Sequence, residues 1–237
     1  LAPYYYGAKN HNITIKERGA SMATPMFIVT GFLDSGKTTM IKDTLMEQEW
    51  IEPGLTLLLL CEEGEEEYPE EYLKEKNMAV LKIEEFDQLN TVFFKNCERN
   101  YHPAQIIIEY NGMWKLEDLL QLKYPRKWQI QGIYSTVNGT TLDMYLKNMR
   151  NMLMEQLTES ELIIINRCPE GVDRSGFRRA LKVQNPMAQL IFEGMDGKII
   201  QPTAEDLPFD IKENPIKIED EDFGIWYVDA YDHPDQY

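Results

Sequence analysis

Met26-Phe-Ile-Val-Thr-Gly31-Phe-Leu-Asp-Ser-Gly36-Lys37-Thr38-Thr39 decides the fold. Residues 26–30 form a short apolar run with the composition of a buried strand. Gly31-Phe-Leu-Asp-Ser-Gly36-Lys37-Thr38 is a complete G-x-x-x-x-G-K-[ST], and residues 37–50 repeat apolar positions at helical spacing. A strand that enters a glycine-punctuated turn and leaves as a helix is the context a phosphate-binding loop requires. The glycines let backbone N–H groups and the helix N-terminus converge on a phosphate. On this reading Gly31, Asp34, Ser35, Gly36, Lys37, Thr38 and Thr39 bind a nucleotide. Lys37 pairs with the β and γ phosphates, the Thr38 hydroxyl joins a Mg²⁺ shell, and Thr39 makes a contact nearer the α phosphate. Asp34 is the awkward member, since a carboxylate inside the loop repels phosphate unless it points to solvent.

Outward from this loop, short apolar runs alternate with helical stretches. Strands are expected at 26–30, 55–60, 78–83, 105–109, 129–136, 162–165 and 189–192, and helices at 37–50, 86–99, 116–122, 142–157 and 173–183. Strands apolar on both faces and alternating with helices imply an α/β protein. The expected architecture is a three-layer P-loop NTPase fold, with a mostly parallel central sheet and helices on both faces. Residues 22–201 form the nucleotide-binding domain. Residues 1–21, which precede the first clean strand and begin with Leu1, are expected to be a non-native leader. After Pro202 the chain turns acidic, with Pro208 and Pro215 barring a helix, so 202–237 reads as a linker followed by a strand at 223–230. That strand either extends the edge of the main sheet or opens a second domain.

The 237 residues are 43% hydrophobic, enough for a substantial core. With 24 Lys+Arg against 40 Asp+Glu, the net charge is −16, which repels a phosphate backbone and argues against nucleic-acid binding. Residues 62–75 hold eight acids and one lysine (−7), and 204–237 hold eleven acids and two lysines (−9), so these two segments carry the whole excess. Cys61, Cys97 and Cys168 form no paired framework, which suits a reducing compartment. No run reaches the length of a membrane span. A cytoplasmic location without membrane insertion is the expectation.

Three further blocks carry a family resemblance. Ile106-Ile-Ile-Glu109-Tyr-Asn-Gly112 is an apolar strand ending in glutamate with glycine close behind. Glu155-Gln-Leu-Thr-Glu-Ser-Glu-Leu-Ile-Ile-Ile-Asn166-Arg167 is a helix running into a strand, and Asn185-Pro186-x-Ala188 precedes the last strand. With GFLDSGKTT, these resemble the CobW-like P-loop GTPases, a group to which metallochaperones belong. The loop is similar to that family's GFLGSGKTT, with Asp34 in place of a glycine. The resemblance implies that Glu109 is the Walker B and switch II carboxylate, and that Asn166 and Arg167 begin the base-reading Asn-Lys-x-Asp motif.

Three departures touch activity and metal binding. Asn166-Arg167-Cys168-Pro169 lacks the carboxylate that accepts hydrogen bonds from guanine N1 and N2; Glu170, one residue later, is a candidate substitute. The family's Cys-x-Cys-Cys metal motif is absent, which excludes its usual thiolate cluster, and a transition-metal cargo finds no support in the Cys and His spacing. In its place stands Cys61-Glu-Glu-Gly-Glu-Glu-Glu, whose start resembles the family's Asn-Glu-x-Gly, so the resemblance makes Glu62 a switch I carboxylate near Mg²⁺ and the attacking water. The resemblance also leads one to expect that family's C-terminal domain, whose place is taken here by a different stretch. The stretch 222–237 resembles the opening of a β domain in two-component permease systems.

The expected function is Mg²⁺-dependent binding and slow hydrolysis of a nucleoside triphosphate, GTP by resemblance with ATP kept open. Lys37, Glu62 and Glu109 are the catalytic candidates, and Thr38, Glu62 and Glu109 the Mg²⁺ ligands. The resemblance implies a switch serving a client metalloprotein or a membrane permease, with a homodimer as a further candidate. The alternatives are a nucleotide-binding scaffold without turnover and a small-molecule kinase built on the same loop.

Overall fold

The computed structural model describes residues 23–47, 53–64 and 66–200, together with the backbone of 217–220 and 224–227. The leader expected at 1–21 lies outside the described residues, as does most of the acidic linker and tail.

Seven strands form one sheet: β1 (Thr24–Thr30), β2 (Thr56–Leu60), β3 (Met78–Lys82), β4 (Gln105–Glu109), β5 (Trp128–Asn138), β6 (Leu162–Cys168) and β7 (Gln189–Gly194). Their order is β3-β2-β4-β1-β5-β6-β7, and every pairing is parallel. The sheet is thus wholly parallel. The chain winds outward through β2 and β3, returns to β4, then crosses β1 to lay down β5, β6 and β7. β1 therefore sits at the switch point, where the crevice at the carboxyl ends of the strands receives ligands in open parallel sheets.

Alternation along each strand buries both faces. Met26 and Ile28 of β1 join Ile106 and Ile108 of β4 in a core that also holds Phe94 and Cys97 of helix α3 (Thr91–Tyr101) and Leu116 and Leu119 of α4 (Leu116–Leu120). The intervening Phe27, Val29 and Ile107 face the opposite layer, with Met40, Ile41 and Leu45 of the first helical segment. Period-2 alternation with no polar face is what a sheet covered on both sides demands. A further core around Ile163 and Ile165 is closed by α6 (Arg150–Leu157) and α7 (Arg174–Lys182).

Helix boundaries depart from the periodicity in four places. The helix expected at 86–99 is a 3₁₀ turn at Phe86–Gln88 followed, after an extended Asn90, by α3. The first helix begins as α1 (Lys37–Thr39), continues as a π turn at Met40–Thr44 and tightens to a 3₁₀ turn at Leu45–Glu47, so its regular α portion is brief. The helix expected at 142–157 is two, α5 (Leu142–Asn148) and α6, broken at Met149 (φ −135°, ψ 30°). Leu142, Leu153 and Leu157 all stay buried across the break, so the apolar spacing persists where the backbone does not. Within the acidic run, α2 (Glu70–Glu75) lays the half-buried Tyr72 and Leu73 against the sheet, although too few apolar positions mark it as a helix in the sequence. At the C-terminus, Gly224–Tyr227 pairs antiparallel with Lys217–Asp220 as a two-stranded sheet of its own, in place of extending the main sheet. The charged Lys217-Ile-Glu-Asp gave no strand signal.

Asn90 caps α3, its side-chain oxygen accepting from the backbone N–H groups of Val92 and Phe93, both at 3.1 Å. Asn90→Ala is expected to lower stability by about 1 kcal/mol. A urea titration reads this as an earlier midpoint with an unchanged slope, and an unmoved midpoint would show that water caps the helix equally well.

Candidate nucleotide-binding site

Above the carboxyl ends of β1, β2, β4, β6 and β7 lies an open cleft of about 380 Å³, lined by Asp34, Gly36, Lys37, Thr38, Thr39, Glu62, Glu66, Glu109, Asn166, Arg167, Glu193 and Met195 among others. The phosphate loop, the start of the acidic run, Glu109 and the Asn166-Arg167 pair meet here, whereas Asn185 lies buried elsewhere, donating to the carbonyls of Leu157 and Ser160. Gly36 takes a φ of 100° as it turns the loop into α1, and a side chain there would strike Asn166 Nδ2.

Lys37 is buried and fully engaged. Its Nζ donates to the carbonyls of Gly31 (2.9 Å) and Phe32 (3.0 Å) and pairs with Glu62 Oε2 at 2.5 Å. Glu62 thus rests on the loop lysine. The Thr38 hydroxyl donates to Glu109 Oε1 at 2.7 Å, and the Tyr68 phenol donates to Glu109 Oε2 at 2.5 Å. Burial raises the Glu109 carboxyl above its ordinary value, against the lowering effect of these two hydroxyls and of Lys37. Burial and the Glu109 charge push the Tyr68 phenol far upward, which keeps it a hydrogen-bond donor. Glu66 accepts from Thr39 Oγ1 and from Lys42 Nζ at 2.5 and 2.6 Å. Burial alone would raise its carboxyl, but these donors hold it below the usual range.

The acidic segment after β2 therefore bends over the loop, with carboxylates on Lys37 and Thr39 and a phenol on Glu109. Hard oxygen donors in this number suit Mg²⁺, which takes one or two carboxylates or hydroxyls plus phosphate oxygens. Thr38 and Glu109 fit that ion best, because Glu109 is a buried carboxylate whose hydrogen bonds come only from neutral hydroxyls. Among the described residues, no group of three or more His, Cys, Asp or Glu is placed to hold a metal by itself. Cys61, Cys97 and Cys168 are buried free thiols. Burial pushes Cys97 and Cys168 up to about 11, so they pack as small hydrophobes.

The end of β6 clamps the loop from the other side. Asn166 Nδ2 donates to the Ser35 carbonyl at 2.7 Å, and Arg167 Nη2 to the Asp34 carbonyl at 2.5 Å. Asp34 has a φ of 57°, a left-handed backbone that aspartate tolerates better than most residues, and its side chain is exposed. Beneath the loop, Ser35 Oγ and Thr136 Oγ1 lie 2.7 Å apart. Three contributors escaped the sequence reading, one of them Glu193 at the end of β7, which lines the cleft. Gln156, 2% exposed, accepts from Thr30 Oγ1 at the end of β1 and donates to the Trp114 carbonyl at 2.7 Å. Its signal was the Glu155-Gln156 pair, whose role only the packing reveals. Tyr68 stood in an acidic run with nothing to mark it. Glu170 is exposed and is not among the residues that line the cleft.

A wholly parallel sheet whose central strand feeds a glycine loop, with lysine, threonine hydroxyl and carboxylate converging above it, defines a P-loop nucleotide-binding protein. The chain belongs to the CobW/HypB/UreG family, whose nucleotide-binding domain matches residues 25–191. Among solved structures, hydrogenase maturation factor HypB from Archaeoglobus fulgidus shares 17% identity over 73% of this chain and 82% of its own, with a TM-score of 0.50. Zinc-bound YjiA GTPase from E. coli shares 18% identity over 71% of this chain and 57% of its own (TM-score 0.48). HypB from Helicobacter pylori in complex with nickel shares 12% over 73% and 80% (TM-score 0.42). At 17% identity the likeness to the Archaeoglobus protein is one of fold. No curated protein matches the chain. Among the described residues no helix is long and apolar enough to cross a membrane.

Proposed function

We propose that the chain binds GTP with Mg²⁺ and hydrolyses it slowly as a switch acting on a client protein. The observation that carries this reading is the convergence of Lys37, Thr38 and Glu109 at the mouth of the loop. The charge balance of the cleft supports the requirement for Mg²⁺. Five acidic side chains line it (Asp34, Glu62, Glu66, Glu109 and Glu193) against Lys37 and Arg167, so a triphosphate entering without a divalent cation meets net repulsion. Bound Mg²⁺ would neutralise charge on the phosphates as the terminal phosphoryl group is transferred to water. Thr38 and Glu109 would hold the ion or its waters, and Lys37 would turn from Glu62 to the phosphates. The released Glu62 would face the attacking water. Such an exchange makes Glu62, Glu66 and Tyr68 the moving groups, since their contacts occupy the groups that phosphate needs. Family membership supports a client-protein role, whereas the permease link rests on residues 222–237, which lie almost wholly outside the described residues.

Titration calorimetry with GTP and ATP, with and without Mg²⁺, combined with a phosphate-release assay, tests the reading. Mg²⁺-dependent GTP binding with slow phosphate release is expected. Binding without release would leave a nucleotide-binding scaffold, release only with an added acceptor would indicate a kinase, and no binding would overturn the proposal.

A further inference from the structure

Guanine presents two adjacent donors, N1–H and the N2 amine, and a site that selects it needs an acceptor facing both. In this chain the position after Arg167-Cys168 that should supply a carboxylate is Pro169, which is exposed, as is Glu170. Of the five acids lining the cleft, four are accounted for near the loop. Glu62 is on Lys37, Glu66 on Thr39 and Lys42, Glu109 on Thr38 and Tyr68, and Asp34 lies in the loop itself. Glu193 is the fifth, and among the described residues no side chain donates to its carboxylate.

Its placement follows from the sheet. β6 and β7 pair through Ile165↔Phe192 and Cys168↔Gly194, with a register shift between them that sets Asn166 and Arg167 beside Glu193. Bulges at strand ends re-aim side chains in this way. Phe192 points into the core under α6 and α7, so alternation turns Glu193 to the other face, the one that carries α1. There it lines the cleft with Gly36, Asn166, Arg167 and Met195, on a strand that lies across β1 from β4 and its Glu109. Burial raises its carboxyl above the ordinary range, a cost that two facing N–H donors would offset.

We propose that Glu193, at the end of β7, is the specificity-determining acceptor for guanine N1–H and N2–H in this chain, replacing the carboxylate that the Asn166-Arg167 motif lacks. The proposal rests on the GTP reading above and names the residue that enforces it. Arg167 and Met195 then flank the base, and Asn166 keeps the loop and the base pocket in register through Ser35.

The test is Glu193→Gln, an isosteric change at a half-buried position, with binding of Mg²⁺ complexes of GTP, inosine triphosphate and xanthosine triphosphate measured by calorimetry. Inosine lacks the N2 amine, and xanthine carries an oxygen in its place. The wild type is expected to prefer GTP to inosine triphosphate by roughly tenfold, the worth of one charge-assisted hydrogen bond. Glu193→Gln should lose GTP affinity on the order of 10- to 100-fold and gain affinity for xanthosine triphosphate, because the new amide donates to the 2-oxo group. A merely structural role would not produce that gain, and an unchanged melting temperature shows that the variant is folded. If the wild type binds GTP and Glu193→Gln keeps the same ratio of GTP to xanthosine triphosphate, the assignment of Glu193 falls and the GTP reading stands. Equal wild-type affinity for GTP and ATP overturns base reading by Glu193 while leaving the phosphate loop intact. Failure of the wild type to bind any triphosphate overturns the functional reading, and this proposal with it.

Discussion

Lys37→Ala lowers the affinity for a Mg²⁺–triphosphate by more than about a hundredfold, the expected cost of losing two charge-assisted hydrogen bonds to phosphate. The same substitution acts on the nucleotide-free protein. Lys37 and Glu62 are an ion pair with side chains only 4% and 10% exposed, and the lysine also ties down the carbonyls of Gly31 and Phe32. Removing one partner of a buried pair leaves the other charge uncompensated, at a cost of about 3–5 kcal/mol. A lower melting temperature is therefore expected beside the lost affinity, and the two effects separate in a second variant. Lys37→Ala combined with Glu62→Gln removes the stranded charge, so it recovers much of the stability and none of the binding. Retention of affinity within a few-fold in a folded Lys37→Ala protein would place the phosphates elsewhere and remove the ground for the functional reading.

Gly112→Ala has an effect that nothing at its own backbone announces. A methyl group there would stand 2.3 Å from the Gly31 carbonyl oxygen and 2.7 Å from Phe32 Cα. Both obstacles are backbone, so no rotamer change relieves them, and the phosphate loop itself must move. The displaced carbonyl is the one that receives Lys37 Nζ at 2.9 Å. Overpacking of this kind costs about 1–3 kcal/mol. A triphosphate held by several loop groups at once is expected to lose affinity by at least about tenfold, since binding depends on their mutual geometry. Thermal unfolding and calorimetry check both. Unchanged values would mean that the segment after β4 yields in place of the loop. The coupling also gives the turn after Glu109 a direct mechanical hold on the nucleotide site.

The phosphate loop, the strands and the order of elements were legible because each is a property of contiguous residues. Gly31 to Thr39 carries its own turn chemistry, and Ile106-Ile-Ile shows burial on both faces without reference to any partner. The misread segments failed for the same reason in reverse. Leu142, Leu153 and Leu157 keep helical spacing across the break at Met149, and Glu70–Glu75 has too few apolar residues to advertise a helix that only Tyr72 and Leu73 anchor. Asp34 has a left-handed backbone that the sequence does not announce, and its exposed side chain still lines the cleft.

Within the site, the sequence could name Lys37, Thr38, Glu62, Glu109 and Asn166 but not pair them. Glu62 turned out to meet Lys37, while Tyr68 and Thr38 share Glu109. Gln156 and Thr30, 126 residues apart, join the end of β1 to α6, and Glu193 reaches the cleft only because β7 lies beside β6. The sequence by itself determined that a phosphate loop stands between a buried strand and a helix in a parallel α/β domain, since periodicity and turn chemistry are local. The tertiary structure decided which carboxylate faces which donor, because sheet order and strand register bring together residues that no spacing along the chain relates.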